Sequence, residues 1–250
     1  MLKTDDIFLI PLTTLALLTA LIGCGTAPVD RSAAQIIEPS SATLPSVAAE
    51  FKTTRETVHQ LQDRGEQDQR PIIVTWRFWR DADQLTVEMP KLAVGEQWQR
   101  DGDAIFHRKL YHNERRAIEF QPDDLRMLQH TLSWQRLSTL LDPQVLDELS
   151  AREIDWSEGY PVREYRGTAG RVKWRIVMRL DVALPIAIER QKDGSFERTE
   201  LLAVYRLNDA PWQPTPVDSY EIIDYADLGD REYDPFVVKV LSQMGHEQHH

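Results

Sequence analysis

The sequence predicts an α+β domain built on one strongly curved antiparallel sheet with helices gathered on one face. Three observations predict it. Apolar and polar residues alternate in segment after segment, separated by short turn signals. A leucine-rich stretch, Asp123–Leu149, interrupts them with helical spacing. The chain also has neither a glycine-rich phosphate loop nor the strand–helix alternation of a parallel sheet.

In chain order, Ile7–Ile22 comes first: sixteen residues, apolar apart from Thr13, Thr14 and Thr19, with Pro11 inside. A membrane-spanning helix needs about 20 apolar residues and a signal-peptide core roughly 7–15, so the run reads as a leader. It closes on Leu21-Ile22-Gly23-Cys24, followed by Gly25, and Cys24 is the chain's one cysteine. This pattern resembles the lipobox of bacterial lipoproteins. The resemblance implies a signal peptide over residues 1–23 and a mature chain that starts at an acylated Cys24. Its partner would be the lipid bilayer, and stable anchoring takes at least two acyl chains. Gly25, rather than Asp, resembles lipoproteins forwarded to the outer membrane, which implies a periplasmic face.

Residues 24–45 are small, polar and proline-bearing (Pro28, Pro39, Pro45) and read as a flexible tether to the main domain, residues 46–243. Val47 to about Gln62 places Val47, Phe51, Val58 and Leu61 at spacings of four, seven and three, which predicts a helix capped by Ser46. From Pro71 the period becomes two, with Ile72, Val74, Trp76 and Phe78 on one side. Leu85/Val87/Met89, Ala104–Tyr111 and Ala117–Phe120 continue it, with Asp101-Gly102 as a turn.

Within Asp123–Leu149, Asp142-Pro143 divides the helical insert in two, Asp142 capping the second helix with Pro143 at its first position. The longest alternation follows: Val172, Trp174, Ile176, Met178, Leu180 and Val182 against Lys173, Arg175, Arg179 and Asp181. Ile186–Arg190, a turn at Asp193-Gly194, Leu201–Leu207 and Tyr220–Tyr225 complete the strands. Asp234-Pro235 opens a short helix to about Leu241, and residues 244–250 form a histidine-rich tail.

A net charge of −11 repels nucleic-acid phosphate and anionic lipid, which argues against a nucleic-acid partner. With Cys24 committed to lipid, the domain is left without disulfides.

The element order, with Leu184-Pro185-Ile186-Ala187-Ile188-Glu189-Arg190 leading through Asp193-Gly194 into a returning strand, resembles the LolA/LolB-type half-barrel. In that family a curved sheet wraps an apolar cavity lidded by helices, and the cavity takes acyl chains. The resemblance implies a lipid or an acylated protein as ligand, held between the sheet and the helices of Asp123–Leu149. Trp76, Phe78, Trp174, Ile176 and Met178 would line that space; the same residues equally suit an interior filled by its own side chains.

Other chemistry is thinner. His246, His249 and His250 crowd the last five residues and could hold Zn²⁺ or Cu²⁺, although a tail lacks the outer partners of a defined site. Five carboxylates, Asp224, Asp227, Asp230, Glu232 and Asp234, fall within eleven residues, but their spacing does not fit the helix–loop–helix calcium template. Together these features support an alternative role as a metal-handling or envelope-assembly accessory. No Gly-x-Ser-x-Gly turn or His-Glu-x-x-His motif occurs, so neither catalysis nor a cofactor is expected.

Overall fold

The computed structural model describes residues 35–57, 71–128 and 133–247, and the side chains of 57 and 243–247 fall outside it. The leader, Cys24, His59, His130, His249 and His250 therefore lie outside the described residues, as does the side chain of His246.

Among the described residues, thirteen strands form one open, curved sheet of half-barrel-like form. They are β1 (Val47–Thr57), β2 (Ile72–Arg80), β3 (Gln84–Met89), β4 (Val94–Asp101), β5 (Ala104–Tyr111), β6 (Arg116–Phe120), β7 (Ser150–Ala151), β8 (Asp155–Ser157), β9 (Tyr160–Ala169), β10 (Val172–Arg179), β11 (Leu184–Lys192), β12 (Ser195–Arg206) and β13 (Glu221–Asp224). The order is β13-β6-β5-β4-β3-β2-β1-β12-β11-β10-β9-β7, with β8 also on β9. Two antiparallel meanders, β2–β6 and β9–β12, are thus joined through β1, which pairs with β2 on one side and β12 on the other. Among the described residues, the one parallel pair is β13 on β6.

The first segment corrects an expectation: Val47–Thr57 is a strand, not a helix. A spacing of four, Val47 to Phe51, fits a helical turn and two strand repeats equally well. Pairing decides between them. Phe51 sits opposite both Trp76 and Leu201, and its ring stacks on Trp76 with centroids 4.5 Å apart. Val47, Ala49 and Phe51 all enter the core on that face. β-Branched Thr53 and Thr54 suit the pleat better than a helix.

The insert holds three helices rather than two: α1 (Pro122–Met127), α2 (Trp134–Thr139) and α3 (Pro143–Glu148). Each has local start signals. Asp124 accepts from the Gln121 N–H, Ser133 from the Arg136 N–H, and Asp142 from the Gln144 N–H, with Pro143 at the first position of α3. Leu140, at φ +62°, ends α2 in a left-handed turn. The last helix, α4 (Pro235–Glu247), runs past the expected Leu241, and Asp234 caps it.

Residues 35–45, read as tether, are laid against the body. The Ile37 N–H donates to the Leu180 carbonyl, Glu38 pairs with Arg163 at 2.6 Å, and the Pro39 carbonyl accepts from Gln135. Arg80, 1% exposed, donates to the carbonyls of Pro45 (3.1 Å), Ser138 (2.6 Å) and Val182 (2.5 Å). One buried guanidinium thus ties the strap, the end of α2 and the β10–β11 turn together. Burial away from water holds its pKa down to about 10, so it stays charged at neutral pH. A proline-rich strap looks the same in sequence whether solvated or docked, because its partners, from Arg80 to Leu180, lie far along the chain.

The core has two parts. The larger joins Phe51, Phe78, Leu85, Trp98, Ile118 and Phe120 to Leu125 of α1 and to Phe236, Val237 and Val240 of α4. The smaller joins Tyr165, Ile176, Met178 and Leu180 to Leu141 and Leu149. On the opposite face of the sheet Trp212, from the segment between β12 and β13, meets Trp79 edge to face at 5.0 Å.

Candidate functional site

A cavity of about 620 Å³ opens where β1, β2, β3, β4 and β12 pass beneath α2. That volume lies within the range of small-molecule pockets. Alternation builds its wall: Val74, Trp76 and Phe78 from β2, then Leu85, Val87 and Met89 from β3, share one face by the period of two. Trp98 of β4 extends the wall, and Leu137 of α2 and Leu140 just past its end cover it.

Polar atoms at the wall satisfy one another and leave carbon facing the space. The Trp76 indole N–H donates to Thr53 Oγ1 at 3.0 Å, and that hydroxyl meets Thr199 Oγ1 at 2.9 Å. Trp98 Nε1 reaches Glu96 Oε2 at 3.3 Å. His107 lies flat against Trp98, centroids 3.7 Å apart, and Phe120 and Tyr225 continue the stack behind it.

Charges stand at the rim, mostly paired. Arg55 and Arg190 both reach Glu197, at 2.7 and 2.6 Å. Burial pushes the Glu197 carboxyl up, but the two guanidiniums outweigh it and hold the group below the usual carboxylate range. Arg136 of α2 stands 3.5 Å from Asp142.

Of the five residues expected to share one space, Trp76 and Phe78 border this cavity. Ile176 and Met178 do not. Both are fully buried in the smaller core, where Val145 and Leu146 of α3 and Ile154 pack against it. Trp174 packs at the margin of that cluster and borders a separate shallow groove with Gly167, Arg190 and Phe196. The five are on one face of one sheet, yet helices divide that face into an open part and a filled part.

Several lining residues are not evident from the sequence. Thr53 is hidden by the helix-like spacing of β1, and Trp98 because Val94–Asp101 carries only two large apolar side chains. Leu137 and Leu140 have helical spacing, but which strand they cover is a tertiary matter.

Two of the five clustered carboxylates, and His112 elsewhere, have structural partners. Asp224 accepts from the Ala226 N–H, while Asp234 binds Arg116 at 2.7 Å and caps α4. His112 Nδ1 meets the Tyr220 hydroxyl at 2.9 Å. Among the described residues, no group of three or more His, Cys, Asp or Glu side chains is placed to hold a metal ion.

No family model and no curated protein sequence matches the chain. Solved structures match at low similarity. PNGF-II shares 10% identity at a TM-score of 0.40, over 76% of this chain and 33% of that one. MucB in the Pseudomonas aeruginosa MucA/MucB complex shares 15% at 0.32, over 68% and 53%. A conserved protein from Thermus thermophilus shares 7% at 0.29, over 70% and 90%. The chain therefore spans about a third of PNGF-II and about half of MucB. All three scores lie below 0.5, and no function is taken from them.

Proposed function

We propose that the chain is a lipid-anchored periplasmic binding protein of a bacterial outer membrane, holding an apolar ligand rather than transforming one. Cys24 is the acylated anchor, and the ligand is an acyl chain of a lipid or of an acylated protein. It lies against Val74, Trp76, Phe78, Val87 and Trp98, beneath Leu137 and Leu140. The observation that carries this reading is the apolar cavity of about 620 Å³ left open under α2, on a chain whose leader resembles a lipobox.

The physical case is burial. Each methylene moved from water to an apolar wall is worth about 0.8 kcal/mol, so a long acyl chain gains enough to bind without strong polar contacts. The paired rim charges leave little unbalanced charge to select an ionic ligand.

The test is native mass spectrometry of a secreted, soluble Cys24→Ser form purified from cells. Lipid should co-purify, and Val74→Trp, which fills the cavity, should release it. An empty wild-type protein would overturn the reading. So would metal in place of lipid, retained only when residues 244–250 are present, and that result would favour the accessory role.

A further inference from the structure

The cavity leaves open which side of the body faces the membrane. We infer that the rim carrying Ile36, Trp156 and Tyr160 is the surface presented to the bilayer, and that it docks on zwitterionic phospholipid. This rests on Cys24 being the anchor.

The path of the chain comes first. Gln35 is the first described residue, and the stretch from Cys24 to it spans at most about 40 Å even if fully extended, at about 3.6 Å per residue. A random-coil chain of that length has a root-mean-square span of about 20 Å, so on average the anchor lies on the side of the body where the strap begins. That point is well defined. The Ile37 N–H donates to the Leu180 carbonyl, and the Leu180 N–H donates to the Pro161 carbonyl. Glu38 fixes the next residue to Arg163. The strap therefore starts beside the β8–β9 hairpin.

The side chains there come second. Ile36 is 45% exposed and Tyr160 37% exposed, with Trp156 half-buried across the hairpin. The hairpin turns through Glu158 and Gly159, both at positive φ, and pairs Trp156 with Pro161 and Tyr160 with Ser157, so the two rings stand on opposite faces of the ribbon and flank its tip. The Arg179 guanidinium lies 3.3 Å from the Tyr160 ring centroid and covers one face of the ring. Tryptophan and tyrosine, apolar in body and polar at one end, settle at the headgroup level of a bilayer.

Charge selects the kind of lipid. Asp155 and Glu158 stand beside the two rings, the neighbouring Arg179 and Arg163 are paired with Asp181 and Glu38, and the whole chain carries −11. An anionic surface would repel this rim, whereas a zwitterionic one would not.

The single cysteine permits a direct test. Residues 24–250 are coupled through Cys24 to maleimide-lipid in phosphatidylcholine vesicles, and amide exchange is compared with the uncoupled protein. Peptides covering 35–38 and 155–162 should exchange several-fold more slowly when tethered. Brominated phosphatidylcholine should quench part of the tryptophan emission, and Trp156→Phe should abolish that part. Unchanged exchange in the hairpin, protection confined to Ile72–Ile73 at the cavity mouth, or quenching that survives Trp156→Phe would each overturn the inference. The coupling is chemical, so this outcome is independent of acylation in cells. The intact mass of the membrane-extracted protein tests the anchor separately, and an unmodified Cys24 would overturn that premise.

Discussion

The two meanders present similar apolar faces to the helices, and the results are opposite. Under β2–β4 the helix α2 stands off, and Leu137 and Leu140 roof a space of about 620 Å³. Over β9–β11 the helix α3 presses down, and Val145, Leu146 and Leu149 leave Ile176 and Met178 fully buried. Arg80 ties the end of α2, through the Ser138 carbonyl, to the strap and to the β10–β11 turn. Leu149, at the end of α3, instead lies against β9, 3.1 Å from where a side chain on Gly167 would begin. An open site and a solid core therefore need no difference in strand pattern.

That comparison can be broken by truncation. Ile176→Ala in the filled half should cost about 2–4 kcal/mol in urea unfolding, because a close-packed site collapses poorly. Val74→Ala at the cavity wall should cost under about 1 kcal/mol, since it only enlarges existing space. Equal losses would mean that the two halves are packed alike.

Arg80→Met tests the tie. Removing the guanidinium leaves three backbone carbonyls without their donor, at about 1 kcal/mol or more each. Stability should fall by about 2–3 kcal/mol, with faster amide exchange in residues 35–46 and in α2 but not in α3. Uniform loosening of both helices would refute its specific role. Asp142→Ala should remove the α3 cap at a cost of about 1 kcal/mol, and it should loosen the filled half while ligand binding under α2 persists.

The smallest effect concerns pH. On the outer surface Glu200, Arg198, Glu189, Arg175 and Glu164 form a ladder of ion pairs across β12 to β9. Hydrogen bonding to Lys52 and the nearby Arg198 lower Glu200. Burial raises Glu164, but Arg166 and Arg175 outweigh it, so both carboxyls lie below their ordinary range. Groups lowered in the folded state stabilise above the unfolded carboxylate pKa of about 4.3, and that stability disappears as pH falls through their lower folded values. Unfolding midpoints should therefore drop below about pH 4, and Glu164→Gln should flatten the drop by a few tenths of a kcal/mol.

Much of the fold was legible from local signals. Alternation located β2, β3, β5, β10 and β11, and Asp142-Pro143 and Asp234-Pro235 marked helix starts because capping is a contact between near neighbours. The misreading of β1 has a different cause. Its identity depends on Trp76 and Leu201, and a spacing of four residues is common to both periodicities. Likewise β13 was legible as a strand, but its parallel pairing with β6 depends on a crossing that covers the sheet with Trp212.

By itself the sequence determined the predominance of strands and, for most of them, which residues share a face. These follow from local chemistry and from the period of the backbone. Only the tertiary structure decided that Trp76 and Phe78 border a space while Ile176 and Met178 fill one. That choice depends on which helix packs over which strands, and those placements rest on contacts such as Arg80 with Ser138, 58 residues apart. No periodicity records a contact of that kind.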